Sequence, residues 1–139
     1  MSKGRDKHQA RQQELSLFGK DLVRRSGSHC ELCQASGVAL SIFEIPPVPT
    51  EPEYERCLMV CDTCKEQLEH PKRIDSNHWR CLGTTMWSEV LPAKVTAIVM
   101  LNHLSEKMGV EWAQELLEQA FLSEEEQAWV DQWQIGMKQ

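Results

Sequence analysis

The chain has 139 residues, of which 41% are hydrophobic and 26% are charged, and these values are ordinary for one small globular domain. No apolar run approaches the roughly 18 residues of a membrane span, and no apolar core follows the polar N-terminus, so we expect neither a membrane helix nor a secretory signal. We therefore expect a cytoplasmic protein, and the net charge of −6 argues against one that coats nucleic acid.

The first elements along the chain are polar and helical. We expect a disordered polar tail over residues 1–8, because no apolar side chain recurs there at helical spacing. An amphipathic helix is predicted over residues 9–27, where Leu15, Phe18 and Leu22 recur at steps of three and four. The glycine at the end of this range is a typical helix stop.

The middle of the chain, residues 28–70, changes character and holds two Cys-x-x-Cys pairs. Between the pairs, residues 38–45 and 56–60 are β-prone and predict a hairpin. The proline-rich residues 46–55 predict a long and mobile loop between the two strands. A short helix is predicted over residues 62–69. The His-Pro pair that follows predicts its end, because the residue before a proline disfavours helical backbone.

The remaining residues, 71–139, predict a connector followed by helices. The connector contains Trp79 and Trp87, which we expect to cover the four-cysteine region against the C-terminal helices. Helices are predicted over residues 91–107 and 110–120, and a capping box at Ser123 to Glu126 predicts the start of a last helix.

The two cysteine pairs predict a metal site. The pairs stand 27 residues apart, and each supplies two thiolates from one tight turn. Four soft ligands of this kind form a tetrahedral structural zinc site, and paired cysteines in a reducing compartment are more often metal ligands than disulfides. We predict one structural zinc ion per chain, with iron–sulfur ligation as an alternative. The predicted ligands are Cys30, Cys33, Cys61 and Cys64.

The complete ligand set leaves no open coordination position for a catalytic water, so no catalytic residue is assigned. Cys57 and Cys81 are interpreted as buried thiols that pack as small apolar groups. Two other roles stay open: Cys57 as a replacement ligand, and Cys81 as a nucleophile with His78 as its base. His29 and His70 flank the cysteine pairs and are expected to be exposed or to support the ligands.

These elements together indicate a small α+β zinc-binding domain. Its centre is a four-cysteine β-hairpin module of the zinc-ribbon or treble-clef kind, and the N- and C-terminal segments packed on it are mostly helical.

Five segments of the chain resemble the zinc-ribbon part of the PhnA family, which is named for the bacterial alkylphosphonate-utilisation operon. The resemblance covers about residues 13–130 but does not extend to the β-barrel domain of fuller family members. It implies zinc binding, and family members have often carried a phosphonoacetate-hydrolase label. That reaction requires an open metal position or an activated nucleophile, and the sequence presents neither. The segments are residues 24–33, 42–47, 61–65, 77–82 and 86–90.

A more distant resemblance is to HNH endonucleases, which share the order of a cysteine pair, a strand and a second cysteine pair before a helix. Phe43 and Glu44 stand where those enzymes carry histidines. The resemblance therefore implies a similar scaffold without the nuclease reaction.

The leading functional expectation is a non-enzymatic zinc-binding interaction module with an unidentified protein partner. The first alternative is a nucleic-acid-binding module, because residues 1–29 carry seven Lys or Arg against three Asp or Glu. This alternative requires Arg24 and Arg25 to share one face with Lys65, Lys72 and Arg73. A phosphonate-related hydrolase is a further alternative, supported by the family label alone.

Overall fold

The computed structural model of the protein describes residues 3–136, with side chains from residue 9 onward, and contains one two-stranded antiparallel hairpin among short helices. The strands are β1 (Leu40–Glu44) and β2 (Cys57–Cys61). The helices are α1 (Lys3–Ser16), α2 (Gly19–Ser26), α3 (Asp62–Glu69), α4 (Leu82–Thr85), α5 (Leu91–Met108), α6 (Glu111–Gln119) and α7 (Glu124–Asp131). Single 3-10 turns cover Tyr54–Arg56, Pro71–Arg73 and His78–Cys81.

The N-terminal helix differs from the expectation at both ends of α1. The helical backbone already includes residues 3–8, which were expected to be disordered; they continue a helix whose later residues, 9–15, are good helix formers. Residues 1 and 2 of the expected tail lie outside the described residues. The helix also stops at Ser16 and resumes at Gly19. The break lets Leu15 and Leu22 enter the same apolar cluster, with Phe18 packed against it.

β2 is buried on both of its faces, which explains why its sequence is continuously apolar rather than alternating. Cys57 and Met59 point into a small cluster with α1 and α2. Leu58 and Val60 point into the main core. The hairpin register, which pairs Phe43 of β1 with Leu58, fixes this division. One strand therefore joins the N-terminal helices to the rest of the molecule.

The loop between the strands forms hydrogen bonds with side chains from distant elements, which the sequence did not predict. The Trp129 indole N–H donates to the carbonyl of Pro46 at 3.0 Å. Arg11 donates to the carbonyls of Pro49 and Thr50 at 2.8 and 3.0 Å. Proline-rich segments lack N–H donors, so their carbonyls are free to accept such bonds from distant elements.

The main core contains residues from both sides of residue 70, where the sequence suggested that the four-cysteine module ends. Leu58 and Val60 of the hairpin belong to the same buried cluster as α5 and as Trp133 near the C-terminus. Trp79 is completely buried in this cluster, as expected for a residue between the hairpin and the helices. Trp87 instead leaves 53% of its surface exposed. The hairpin and the C-terminal helices are therefore joined by a common apolar core.

The predicted helix ends in the second half are confirmed. Pro92 lies in the first turn of α5, and Gly109 ends this helix with a left-handed φ of 64°. The capping box at Ser123 is present at the start of α7. Within residues 3–136, no helix combines the length and the apolar character that crossing a membrane requires.

Candidate metal centre

The first cysteine pair sits in a tight turn that is closed by its own backbone. The Cys30 N–H donates to the carbonyl of Ala35 at 2.9 Å, and the Gln34 N–H donates to the carbonyl of Cys30 at 2.9 Å. The Cys33 N–H points at the Cys30 sulfur, 3.5 Å away. These contacts direct both sulfurs of the pair to the same side of the turn.

Glu31 attaches this turn to β2. Its N–H donates to the Met59 carbonyl at 2.8 Å, and its carboxylate accepts the Met59 N–H at 2.9 Å. The buried carboxylate also forms a two-pronged ion pair with Arg25, with N–O distances of 2.9 and 2.7 Å. Arg25 donates in addition to the Cys57 carbonyl at 2.7 Å. The position of the first cysteine turn therefore depends on an arginine from α2.

The substitution Arg25→Ala is expected to lower the free energy of unfolding by about 3 kcal/mol, because it leaves the buried Glu31 carboxylate without its cationic partner. Urea unfolding of the metal-loaded protein measures this change. The matched control is Arg24→Ala, since the Arg24 side chain is 82% exposed and should contribute less than about 0.5 kcal/mol. Equal midpoints for the two variants would contradict the role given to Arg25.

The second cysteine pair opens α3. Cys61 is the last residue of β2 and the N-cap of the helix, and its sulfur accepts the Cys64 N–H at 3.4 Å. The strand fixes Cys61 and the first helical turn fixes Cys64. The second turn is thus held between two regular elements.

The four sulfurs converge into one cluster whose atoms all lie within 4.8 Å of one another. The Cys30–Cys64 and Cys33–Cys61 sulfur distances are 3.7 and 3.6 Å. A tetrahedral zinc ion with bonds of about 2.3 Å requires sulfur–sulfur distances of about 3.8 Å. The four cysteines can therefore hold a metal ion, and both their sulfur chemistry and their spacing fit zinc.

Three of the four cysteine thiols have shifted pKa values. Burial raises the pKa of Cys33 to about 12. A hydrogen bond with Cys30, together with burial, raises the pKa of Cys64 above the ordinary thiol value. The same bond lowers the pKa of Cys30 to about 4. Cys33 and Cys64 are therefore protonated at neutral pH without an ion, and a metal ion that binds here must displace their protons.

His78 contacts the cluster from the connector, and no spacing pattern in the sequence predicts this contact. Its Nε2 lies 3.2 Å from the sulfur of Cys64. Burial lowers the pKa of His78, which favours the neutral imidazole. A metal-bound thiolate only accepts hydrogen bonds, so the tautomer with hydrogen on Nε2 is the one that fits. The next residue, Trp79, is buried, and its ring packs edge-on against the His78 ring with 5.0 Å between the ring centroids. This contact holds the histidine in place.

The substitution His78→Ala is expected to weaken zinc binding by roughly 10-fold to 100-fold, because hydrogen bonds to ligands stabilise metal sites by this amount. His78→Gln keeps a donor and should recover part of the affinity. Competition with a chromophoric chelator measures the affinities. His29→Ala is the matched control, since His29 is an exposed histidine beside Cys30. The same affinity for the alanine variants at both positions would remove His78 from the site.

The other candidate residues lie outside the cluster. Cys57 is buried beside α2, and its thiol donates to the Glu53 carbonyl at 3.3 Å, so it does not replace a ligand. Burial raises the pKa of Cys81 to about 11, which opposes a role as nucleophile, and the nearby His78 contacts Cys64 instead. Cys57 is buried, as expected, whereas Cys81 is only partly buried against the main core. His29 and His70 are exposed.

Comparisons with family models, with curated proteins and with solved structures find no match to this chain.

Proposed function

We propose that this chain is a zinc-binding protein in which one structural zinc ion, held by four cysteines, maintains an interaction module of the PhnA type. The observation that carries the proposal is the convergence of four sulfurs at distances that fit a tetrahedral zinc ion. The order of a cysteine turn, a hairpin and a helix that begins at the second pair supports the treble-clef-like description. Because four thiolates fill the coordination sphere, the ion supports the fold and does not activate water.

Metal analysis of the purified protein tests this proposal, with one zinc per chain as the expected result. Cys61→Ser should lose the ion, because it removes a ligand at the end of β2. The matched control is Cys57→Ser at the other end of the same strand, whose hydroxyl can still donate to the Glu53 carbonyl. Zinc well below one per chain, or full retention by Cys61→Ser, would refute the structural site.

An interaction role is supported by large apolar side chains on the surface. Trp87 lies in the connector and Phe121 lies between α6 and α7, and both are more than half exposed. Exposed aromatic groups of this size are enriched at protein–protein contacts. They make a protein partner the favoured ligand of the module.

The nucleic-acid alternative has less support, because several basic side chains are already engaged with carboxylates. Arg25 pairs with Glu31, and Arg73 pairs with Glu66. Arg11 is likewise paired with a glutamate. Cations already paired with carboxylates offer less positive charge to a phosphate than unpaired ones do. A phosphonate hydrolase has less support still, since the four-thiolate site offers no open position for a reacting group.

A further inference from the structure

The four cysteines of the metal centre are unequally covered by protein. Cys30 and Cys64 are completely buried, and Cys61 is 6% exposed, whereas Cys33 is only partly buried. The centre therefore has a closed edge, Cys30–Cys64, and an open edge, Cys33–Cys61. An incoming ligand that displaces a thiolate can approach a tetrahedral ion only from a side that the protein leaves open.

A cavity of about 330 Å³ lies against the open edge. Cys33 and Cys61 line it, while the sulfurs of the closed edge do not belong to its wall. Its volume is ample for the donor group of a small chelator. The other residues that shape it include Val38, Asp62, Thr63 and His78.

Hydrogen-bond contacts reach all four sulfurs and do not distinguish one ligand from another. The sulfurs of Cys30 and Cys61 each face a backbone N–H, at 3.5 and 3.4 Å. The sulfur of Cys64 faces His78 at 3.2 Å, and the sulfur of Cys33 faces the Ala35 N–H. Cys33 differs from the other three in its exposure and in its place at the cavity, so it is the ligand that an incoming donor group reaches most easily.

We propose that the Cys33–Cys61 edge is the exchange edge of the metal centre, through which zinc enters and leaves, and that Cys33 is the first ligand to release it. This inference rests on the proposed zinc site. In the exchange step the bond from zinc to the Cys33 sulfur breaks as a bond to a donor atom of the chelator forms. The electron pair stays on the Cys33 thiolate, and the ion remains Zn²⁺ throughout.

The test follows zinc release from the loaded protein to an excess of pyridylazoresorcinol by absorbance. Val38→Trp places a bulky side chain at the cavity and should slow release several-fold. The matched control is Val23→Trp on α2, because Val38 and Val23 are similarly exposed, at 47% and 41%, and only Val38 lines the cavity. Release at the wild-type rate from Val38→Trp overturns the proposed route.

A second measurement uses the unaltered protein and does not depend on a variant that folds. The zinc-loaded chain is treated briefly with iodoacetamide, and tandem mass spectrometry locates the modified cysteine. The sulfur forms a bond to the reagent carbon and iodide leaves with its electron pair. Cys33 should react before the other three ligands. Earlier or equal modification of Cys30, Cys61 or Cys64 overturns the order of release.

Zinc content before mixing separates the two proposals. Chains that carry one zinc but release it equally fast with and without the Val38→Trp substitution refute the exchange edge and leave the structural site intact. Chains that carry no zinc refute both.

Discussion

Removal of the metal is expected to abolish the ordered structure of residues 28–70. The two cysteine turns and the hairpin bury little apolar surface without the helices. An ion bound by the four clustered sulfurs would link the two turns, which flank the hairpin. Binding of a structural zinc ion is worth on the order of 10 kcal/mol or more, while a whole domain is stable by only about 5–15 kcal/mol. Hydrogen exchange with and without EDTA measures the loss, which should appear first in the amides of β1, β2 and α3.

The C-terminal helices should keep much of their helical circular dichroism after chelation, because α5 also packs against α6 and α7, with Ala113 of α6 and Val130 of α7 buried in the core. Their thermal midpoint should nevertheless fall, since Leu58 and Val60 of the hairpin belong to the same core. Mild acid should act like the chelator, because thiols that become protonated as the pH falls no longer bind the ion.

Reversal provides the control for this prediction. Addition of zinc to the chelated protein should restore protection, whereas magnesium should not, because it prefers oxygen ligands. Unchanged protection of residues 28–70 in EDTA would show that the four cysteines do not hold a structural ion.

Trp79→Ala should produce the largest loss of stability among single substitutions away from the metal ligands. The side chain is completely buried in the core between the hairpin and the helices. Its indole N–H donates to the Gln67 side chain of α3 at 2.7 Å. Truncation of a buried tryptophan to alanine costs about 4 kcal/mol. Urea unfolding of the zinc-loaded protein measures the effect. The dependence of the unfolding free energy on urea concentration should be compared between variants.

Two further variants divide this effect into its parts. Trp79→Phe keeps most of the apolar volume and removes the indole donor, so it should cost about 1–2 kcal/mol. Trp87→Ala removes the half-exposed tryptophan of the same connector and should cost less than about 1 kcal/mol. Similar losses for the two alanine variants would contradict the placement of Trp79 in the shared core.

The features that the sequence predicts well in this protein are local. Each Cys-x-x-Cys pair constrains its own turn, and the 27 intervening residues give room for a hairpin, so the ligand set is readable from spacing. Gly27 and Gly109 end helices because they adopt a left-handed backbone, and Ser123 begins one through its side chain. These effects act within a few residues, so no tertiary contact is needed to infer them.

Three other features were decided by contacts between residues far apart in the chain. His78 reaches Cys64 because Trp79 beside it is buried against Gln67, and nothing in the spacing of the histidine indicates this. The proline-rich loop is held by Trp129 from the far end of the chain. The break before α2 allows Leu15 and Leu22 to pack in the same small cluster.

Local turn chemistry and hydrophobic periodicity govern the two cysteine turns, the hairpin between them and most helix boundaries, so these can be predicted from the sequence. The contacts that surround the four cysteines, and the side of the cluster that faces the cavity, appear only when the chain is folded. The tertiary structure also decided that Leu58 of the hairpin shares its core with helices beyond residue 70. These properties depend on packing between segments that are distant in sequence, and pattern and propensity within one segment do not encode that packing.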